Sequence, residues 1–133
     1  MEKITIKSKR HNEALDITPD IRKYLARKKA SSGLVTVFSP HTTAAITINE
    51  NTDPDVRFDL ISHLAHLVPA EGAFTHVEGN SDAHIKTSLF SPSQTLIVED
   101  GELKLGTWQG IFLMEFDGPR AREVWLKFVA DPQ

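Results

Sequence analysis

Apolar and polar residues alternate with a period of two in several segments of this sequence. Near the start, Ile4 and Ile6 are each flanked by polar residues. Such alternation predicts β-strands with one face in a core and the other toward water. The predicted strands are residues 2–10, 34–39, 41–51, 94–100, 102–116 and 122–129. Because strands outnumber helices and are joined mostly by short turns, the sequence predicts an α+β fold with a mainly antiparallel or mixed sheet system.

Two segments carry the pattern of amphipathic helices instead. The first lies within residues 17–33 and begins with Thr18 as a cap and Pro19 in the first turn. The second, residues 51–69, has Pro54 in its first turn. An apolar stripe along the second helix is predicted from Val56, Leu60, Leu64 and Leu67.

Residues from about 70 to 82 are rich in glycine, asparagine and polar side chains, which predicts a long loop. Loops of this length in compact domains tend to be functional. The pattern from Ser81 to Leu89 also allows a short helix.

Composition excludes several classes of function. Lys and Arg number 15 against 18 Asp and Glu, so the net charge is −3, and there is no long basic block. This balance argues against binding nucleic acid or an anionic membrane, because both need a concentrated positive surface. The chain contains no cysteine, so disulfides, thiolate zinc sites, iron–sulfur clusters and cysteine nucleophiles are excluded.

The length of 133 residues suits one compact core, so we expect a single domain over residues 1–133. The first residues lack the unbroken apolar core of a secretory signal, and no apolar run is long enough to cross a bilayer. We therefore expect a cytoplasmic protein without a membrane-spanning segment.

The segment HTTAAITINEN, residues 41–51, places two kinds of side chain on one predicted strand. Its even positions, such as Ile46 and Ile48, form an apolar core face, whereas its odd positions form a small, polar face. This polar face predicts a wetted surface, a subunit contact or the wall of a pocket. On an unbroken strand His41 and Asn49 would be about 26 Å apart at roughly 3.3 Å per residue. They could then meet at one ion only across subunits of a symmetric oligomer.

A second group of ionisable residues lies in FTHVEGNSDAHIK, residues 74–86. His76 and His84 flank two carboxylates, and Lys86 follows. Neutral imidazole is the commonest metal ligand, and His41 as a third ligand would leave a coordination position open for water or substrate. The spacing of the two loop histidines matches no standard metal motif. The alternative interpretation is a loop whose histidines only form hydrogen bonds with the backbone.

The stretch LGTWQGIF, residues 105–112, places two glycines around Thr107, Trp108 and Gln109. Glycines in an apolar strand predict a bulge or a close backbone approach, and Trp beside Gln can form a ligand-binding wall. The alternative is a core Trp with a satisfied N–H. The turn DGPR ends at Arg120, which could face an anion.

Five blocks together carry a resemblance to a known family. They are HTTAAITINEN, DPDV, HVEGNSDAHIK, LGTWQGIF and EFDGPR, in this order and over nearly the whole chain. They resemble the YjbQ family, also called UPF0047 and often labelled secondary thiamine-phosphate synthase enzymes. One departure is Ser91, where the family pattern has glycine, and it bears on the shape of that turn.

The resemblance implies a β-sandwich-like sheet system with helices packed outside, assembled as a homotrimer. It also implies a pocket near the subunit contacts, with histidines as ligands of a divalent ion such as zinc. The functional candidates that match the motifs by position are His41, Asn49, Glu50, His76, Asn80, Ser81, His84, Lys86, Thr107, Trp108, Gln109 and Arg120.

The first functional hypothesis is a metal-dependent enzyme that acts on a small phosphorylated metabolite. An ion on the three histidines would bind a phosphate or pyrophosphate oxygen, and Lys86 and Arg120 would add positive charge. Glu50 or Asp82 would transfer protons. The resemblance names weak thiamine phosphate synthesis, from a pyrimidine pyrophosphate and a thiazole phosphate, with Trp108 stacking on the pyrimidine. The second hypothesis is a non-catalytic trimer that binds a small anion or a metal.

Overall fold

A computed structural model describes all residues, 1–133, and contains two antiparallel sheets and three helices. The strands are β1 (Glu2–Lys7), β2 (Glu13–Asp16), β3 (Gly33–Phe38), β4 (Ala44–Glu50), β5 (Ser93–Glu99), β6 (Glu102–Leu103), β7 (Gln109–Glu115) and β8 (Ala121–Ala130); the helices are α1 (Thr18–Arg27), α2 (Pro54–Leu67) and α3 (Ser81–Leu89). The larger sheet has the order β1-β8-β3-β5-β6, and the smaller has the order β2-β7-β4. None of the helices is long and apolar enough to cross a membrane.

The two sheets face each other and share the main core. Val35 of β3 and Val124 of β8 point inward from the larger sheet and belong to the same buried cluster as Ile46 and Leu113 of the smaller sheet. Helix α1 contributes Ile21 to this cluster. Inward residues alternate with outward ones along each strand, as the period of the sequence requires. The predicted α+β fold with an antiparallel β-sandwich is confirmed.

Helices α2 and α3 cover the other face of the smaller sheet. Leu64 of α2 and Ala83 of α3 meet Phe112 of β7 in a second, smaller apolar cluster. Strand β7 is therefore buried on both faces, with Ile111 and Leu113 toward the main core and Phe112 toward the helices. Burial on both faces explains why this strand is a continuous apolar run and does not alternate.

The strand predicted for residues 41–51 begins later than expected. A turn precedes it, in which Ser39 Oγ accepts the N–H of His41 at 3.3 Å and donates to the carbonyl of Ala44 at 2.8 Å. His41 therefore lies outside β4, and the estimate of 26 Å between His41 and Asn49 does not apply. The face predicted to be polar is also covered in part, because Ala45 is fully buried.

Two other predicted features, the strand at residues 102–116 and the apolar stripe of α2, also differ from the structure. Residues 102–116 form two strands, because Gln109 closes a turn by accepting the N–H of Gly106 on its side chain at 2.8 Å. In α2 the apolar stripe is shorter than predicted, since Leu64 is buried but Leu67 is 61% exposed. The short helix at Ser81–Leu89 and the irregular loop before it are confirmed.

A buried ion pair joins the two sheets. Glu115 ends β7 and is fully buried, and Arg122 on β8 is 2% exposed. Arg122 Nε donates to both carboxylate oxygens of Glu115, at 2.9 and 3.1 Å, and Arg122 Nη2 donates to the carboxylate and to the carbonyl of Thr43, at 3.2 Å. Ser8 Oγ also donates to Glu115, at 2.6 Å. One carboxylate and one guanidinium thus connect both sheets with the segments that follow β1 and precede β4.

We expect Arg122→Met to lower the free energy of unfolding by about 3–5 kcal/mol, because it leaves the Glu115 carboxylate buried without its cation. Urea unfolding followed by circular dichroism measures the change. Arg27→Met is the matched control, since Arg27 pairs with Glu2 at the surface, where an ion pair contributes about 0–1 kcal/mol.

The double variant Glu115→Met/Arg122→Met separates loss of the pair from loss of one partner. We expect it to be more stable than Arg122→Met alone, because neither charge is then left buried. If the double variant were no more stable than Arg122→Met, the loss of stability in Arg122→Met could not be attributed to an unpaired carboxylate.

Candidate functional site

Two predicted metal ligands, His76 and His84, lie together in the irregular loop and on α3. Their ring centres are 5.5 Å apart and the rings meet edge to face, at an interplanar angle of 86°. Both line a surface cavity of about 470 Å³. The cavity is also lined by Phe74, Thr75, Ser81 and Ile85.

A chain of side-chain hydrogen bonds holds this pair against the sheet. His76 Nε2 lies 3.1 Å from Asn80 Oδ1, and Asn80 Nδ2 donates to Asp117 Oδ2 at 3.0 Å. Arg120 also donates to Asp117, with Nη2 3.0 Å from the same carboxylate oxygen and Nε 2.9 Å from the backbone carbonyl. The Arg120 guanidinium, predicted to face an anion, is therefore first a partner of Asp117, although its side chain remains 50% exposed.

The same chain of hydrogen bonds continues into the buried ion pair. The N–H of Asp117 donates to Glu115 Oε2 at 3.0 Å. Burial alone would raise the pKa of Glu115, but hydrogen bonds from Arg122, Ser8 and Asp117 outweigh burial and hold the pKa below its ordinary value of 4.5. Glu115 is thus a fixed negative charge at neutral pH, and it anchors the loop through Asp117.

His41 lies close enough to the ion pair to feel the charge of Arg122, and its ring is occupied by a backbone contact. Its Nε2 accepts the N–H of Glu123 at 2.9 Å. Burial, and then the positive charge of Arg122, lower the pKa of His41 below its ordinary value of 6.5. A neutral imidazole has one nitrogen lone pair, and here Glu123 uses it. His41 could bind an ion only by breaking this hydrogen bond.

The structure does not bring the three predicted ligands together. No group of three His, Asp or Glu side chains converges in the geometry of a metal site within the chain. The ring-centre distance of the pair, 5.5 Å, is close to the value of about 5 Å expected for two imidazoles with nitrogens roughly 2.0–2.1 Å from one tetrahedral zinc. With its proton on Nε2, His76 donates to Asn80 and presents Nδ1, the orientation that outer hydrogen bonds give to metal-binding histidines.

Asp82 and Lys86 do not point into the cavity. They lie four residues apart on α3, are both 1% exposed, and pair with Nζ 3.0 Å from Oδ2. As a buried pair they do not line the cavity in this chain, and their catalytic role stays a prediction. Ser81, at the start of the same helix, does line the cavity.

The remaining candidates form a separate cluster at the opposite end of the smaller sheet. Asn49 and Glu50 end β4, and Glu50 pairs with Gln109 at the start of β7. Asn51 donates its N–H to the carbonyl of Trp108 at 2.9 Å, and Trp108 is 60% exposed. Thr107 lies in the same turn and is also exposed.

The length of β7 separates the two clusters. Gln109 and Glu115 are six residues apart, which is about 20 Å at roughly 3.4 Å per residue. The predicted close approach of backbone at Gly110 is confirmed, since a side-chain carbon there would lie 2.6 Å from the amide of Asn51.

Sequence reasoning missed the residues that hold the loop in place, above all Glu115, Asp117 and Arg122. A signal was present, because Glu115 stands among five apolar residues of IFLMEF and Arg122 opens an apolar alternation. Ionisable side chains at core positions of strands are almost never buried unless they are paired.

Comparisons with known proteins agree over nearly the whole chain. The family model described as "UPF0047 protein YjbQ-like" matches residues 2–131. The chain is 54% identical over 129 residues to UPF0047 protein MJ1081 of Methanocaldococcus jannaschii, covering 97% of this chain and 94% of that protein. It is 44% identical to UPF0047 protein YugU of Bacillus subtilis, over 97% of this chain and 98% of YugU.

Solved structures show the same fold. A YjbQ/UPF0047 family protein of Clostridium acetobutylicum superposes with a TM-score of 0.94 at 49% identity, covering 97% of this chain and all (100%) of that chain. The conserved hypothetical protein TT1486 of Thermus thermophilus has a TM-score of 0.91 at 39% identity, with coverage of 97% and 100%.

We expect NMR titration of the imidazole protons to give His41 a pKa below 6.5, the ordinary value. In the pH range just below 6.5 the unfolded chain then binds more protons at this residue than the folded chain, so stability falls as the pH falls through that range. His41→Gln should make this loss less steep in urea unfolding between about pH 7 and 5. A titration midpoint for His41 at or above 6.5 would contradict the claim that burial and Arg122 lower its pKa.

Proposed function

Because the chain belongs to the UPF0047 protein YjbQ-like family, we propose that it is a metal-dependent enzyme acting on a small phosphorylated metabolite at the His76–His84 cavity. The relatives' names assign no reaction, so the proposal rests on the chemistry of this chain. Its central observation is the pair of imidazoles, 5.5 Å apart, in a cavity of about 470 Å³.

The side chains around the pair supply orientation and charge. Asn80 fixes the ring of His76, and Asp117 fixes Asn80. The half-exposed Arg120 places positive charge near the cavity, where it would attract a phosphate group. Ser81 adds a hydroxyl that can donate to a phosphoryl oxygen.

A divalent ion, zinc by the chemistry of imidazole ligands, would be held by His76 and His84. When bound, such an ion polarises a phosphoryl oxygen or lowers the pKa of a bound water. Glu78 is an additional carboxylate beside the pair, with an oxygen 3.8 Å from His76 Nε2. His41 could join the ligands only by giving up its hydrogen bond with Glu123.

Thiamine phosphate formation is the first reaction to test, because the family resemblance names it. A nitrogen of the thiazole phosphate would bond to the methylene carbon of the pyrimidine pyrophosphate, and pyrophosphate would leave with the bonding electrons. The exposed Trp108 is a flat surface on which a pyrimidine could stack. Glu50, in the same cluster as Trp108, is the candidate for proton transfer, and Asn49, Thr107 and Gln109 are candidates for binding polar groups of the substrate.

A homotrimer would allow the two clusters to act together, since about 20 Å separates them within one chain. Support comes from an apolar row on the outer face of the larger sheet. Leu34 lies opposite Ile97 on one side and Val129 on the other. These three side chains are 48%, 56% and 58% exposed, and apolar rows of this kind mark protein contacts.

One observation favours a second function, a non-catalytic trimer that binds a small anion or a metal. Asp82 and Lys86, two of the three residues predicted to be catalytic, are buried against each other. Without them the cavity retains groups that bind, but it has fewer groups that transfer protons.

We expect purified protein to retain zinc after dialysis and to lose at least about tenfold in zinc affinity on His84→Ala, because one of two imidazole ligands is removed. Zinc content by atomic absorption and affinity by competition with a chelator are the measurements. His66→Ala is the matched control, since His66 is an exposed histidine on α2. Equal zinc binding by both variants would contradict the ligand assignment.

Turnover distinguishes the two functions. Wild-type protein with zinc should convert a pyrimidine pyrophosphate and a thiazole phosphate to thiamine phosphate, and His84→Ala should lower kcat/KM by about 10²-fold or more. Zinc binding without turnover of this pair, or of any phosphorylated compound that raises Tm, would favour the non-catalytic protein.

Light scattering after gel filtration should give three times the chain mass of 14.8 kDa. Leu34→Lys should reduce this mass, because it places a charge in the middle of the apolar row. Ser31→Lys adds the same charge at an exposed position outside the row and should leave the mass unchanged. A monomer mass for the wild type would contradict the trimer.

A further inference from the structure

A second cavity of about 470 Å³ lies between β2, with the residues before it, and the first half of α2. No residue lines both this groove and the His76–His84 cavity. Its lining combines basic and polar side chains with apolar ones, and the side chains that matter are Arg10, Asn12, Arg57, Phe58, Ile61 and Ser62.

Two arginines in this groove have no acidic partner. Arg27, Arg120 and Arg122 each form an ion pair. No guanidinium nitrogen of Arg10 or Arg57 lies within 4.0 Å of a carboxylate oxygen of this chain.

Glu13 also lines the groove, but its carboxylate already accepts hydrogen bonds from the backbone. It accepts the backbone N–H groups of Lys9 and Arg10, at 2.8 and 3.3 Å, and so holds the turn before β2. The groove therefore keeps an excess of positive charge in a chain whose net charge is −3.

Two polar atoms in the groove are buried without a hydrogen-bond partner. Arg57 Nε and Asn12 Oδ1 both lack one within the chain. The Arg57 guanidinium carbon lies 5.5 Å from the ring centre of Phe112, a cation–π contact. Leaving a buried donor unpaired costs free energy, and an oxyanion in the groove would recover that cost at Arg57 Nε once the side chain shifts to expose it. Asn12 Oδ1 is itself an acceptor and does not pair with an oxyanion.

We propose that this groove binds a small organic oxyanion, a phosphate or carboxylate group attached to a planar apolar ring. Arg10 and Arg57 supply two guanidiniums, the group that binds carboxylate and phosphate oxygens in pairs, and Ser62 can add a hydroxyl donor. Phe58 is 70% exposed beside Ile61, and together they form an apolar surface on which a ring can pack. The groove is separate from the proposed zinc cavity and does not depend on the function proposed for it.

Phenyl phosphate is the probe, and NMR titration of ¹⁵N-labelled full-length protein is the measurement. We expect shifts of the amides of Asn12, Arg57 and Ser62, with saturation. Arg10→Gln should weaken the affinity by about tenfold or more, because it removes a charge-assisted hydrogen bond. Arg10 is exposed, so this variant should fold normally. Arg57→Lys keeps the charge but loses the planar fork and should also weaken binding.

Arg27→Gln is the matched control, because it removes the same charge from a surface arginine that pairs with Glu2. Equal affinities for Arg10→Gln and Arg27→Gln would overturn the proposal, as would shifts confined to residues 73–85. Unchanged binding by His84→Ala would support it and would separate it from the function of the zinc cavity.

Two further experiments test the ring and the anionic group of the ligand separately. Phe58→Ala should weaken phenyl phosphate but not inorganic phosphate, because only the ring contacts Phe58. Benzoate in place of phenyl phosphate shows whether the groove prefers a carboxylate to a phosphate. Failure of both phenyl phosphate and benzoate to bind in the millimolar range would overturn the proposal.

Discussion

The ion pair between Glu115 and Arg122 is the interaction on which the geometry of the candidate site depends. It lies where the two sheets meet, and every oxygen of its carboxylate accepts from Arg122, Ser8 or the N–H of Asp117. Because removal of one partner from a buried pair is strongly destabilising, the pair fixes the distance between the sheets at this point. The loop with His76 is joined to this ion pair by hydrogen bonds through Asn80 and Asp117. The buried carboxylate therefore helps to hold an exposed loop in position.

The smaller sheet carries different chemistry at its two ends because its central strand is wholly apolar between them. Strand β7 has Gln109 at one end and Glu115 at the other, and the residues between are buried on both faces. Polar groups can therefore gather only where the strand begins and ends. Imidazoles and a guanidinium gather at the Glu115 end, and amides, Glu50 and Trp108 gather at the Gln109 end. A reaction that needs both sets requires a second chain or a substrate long enough to reach across.

The sequence predicts the fold well because strand alternation and proline-initiated helices are local signals. Of the eight strands only β2 (Glu13–Asp16) overlaps no predicted segment. The predicted strand boundaries are wrong where a side chain, and not the backbone, makes the hydrogen bond that begins or ends a strand. Ser39 delays the start of β4, and Gln109 divides one predicted strand into two. The pairing of His76 with His84 is local and could be predicted. The occupation of His41 by Glu123 could not, because those residues are 82 positions apart and are joined only by the tertiary fold.

The two sides of the smaller sheet bury different numbers of apolar residues, and the less buried side carries the candidate binding cavities. The side toward the larger sheet belongs to a cluster of 15 buried residues, whereas the side toward α2 and α3 belongs to a cluster of five. Only Leu64 of α2 is buried, and Phe58 and Leu67 are exposed. The free energy of folding therefore comes mainly from the sandwich, and the helical layer is free to carry open cavities with unpaired polar groups. The His76–His84 cavity and the groove with Arg10 and Arg57 both lie in that layer, where a ligand can be bound without disturbing the core.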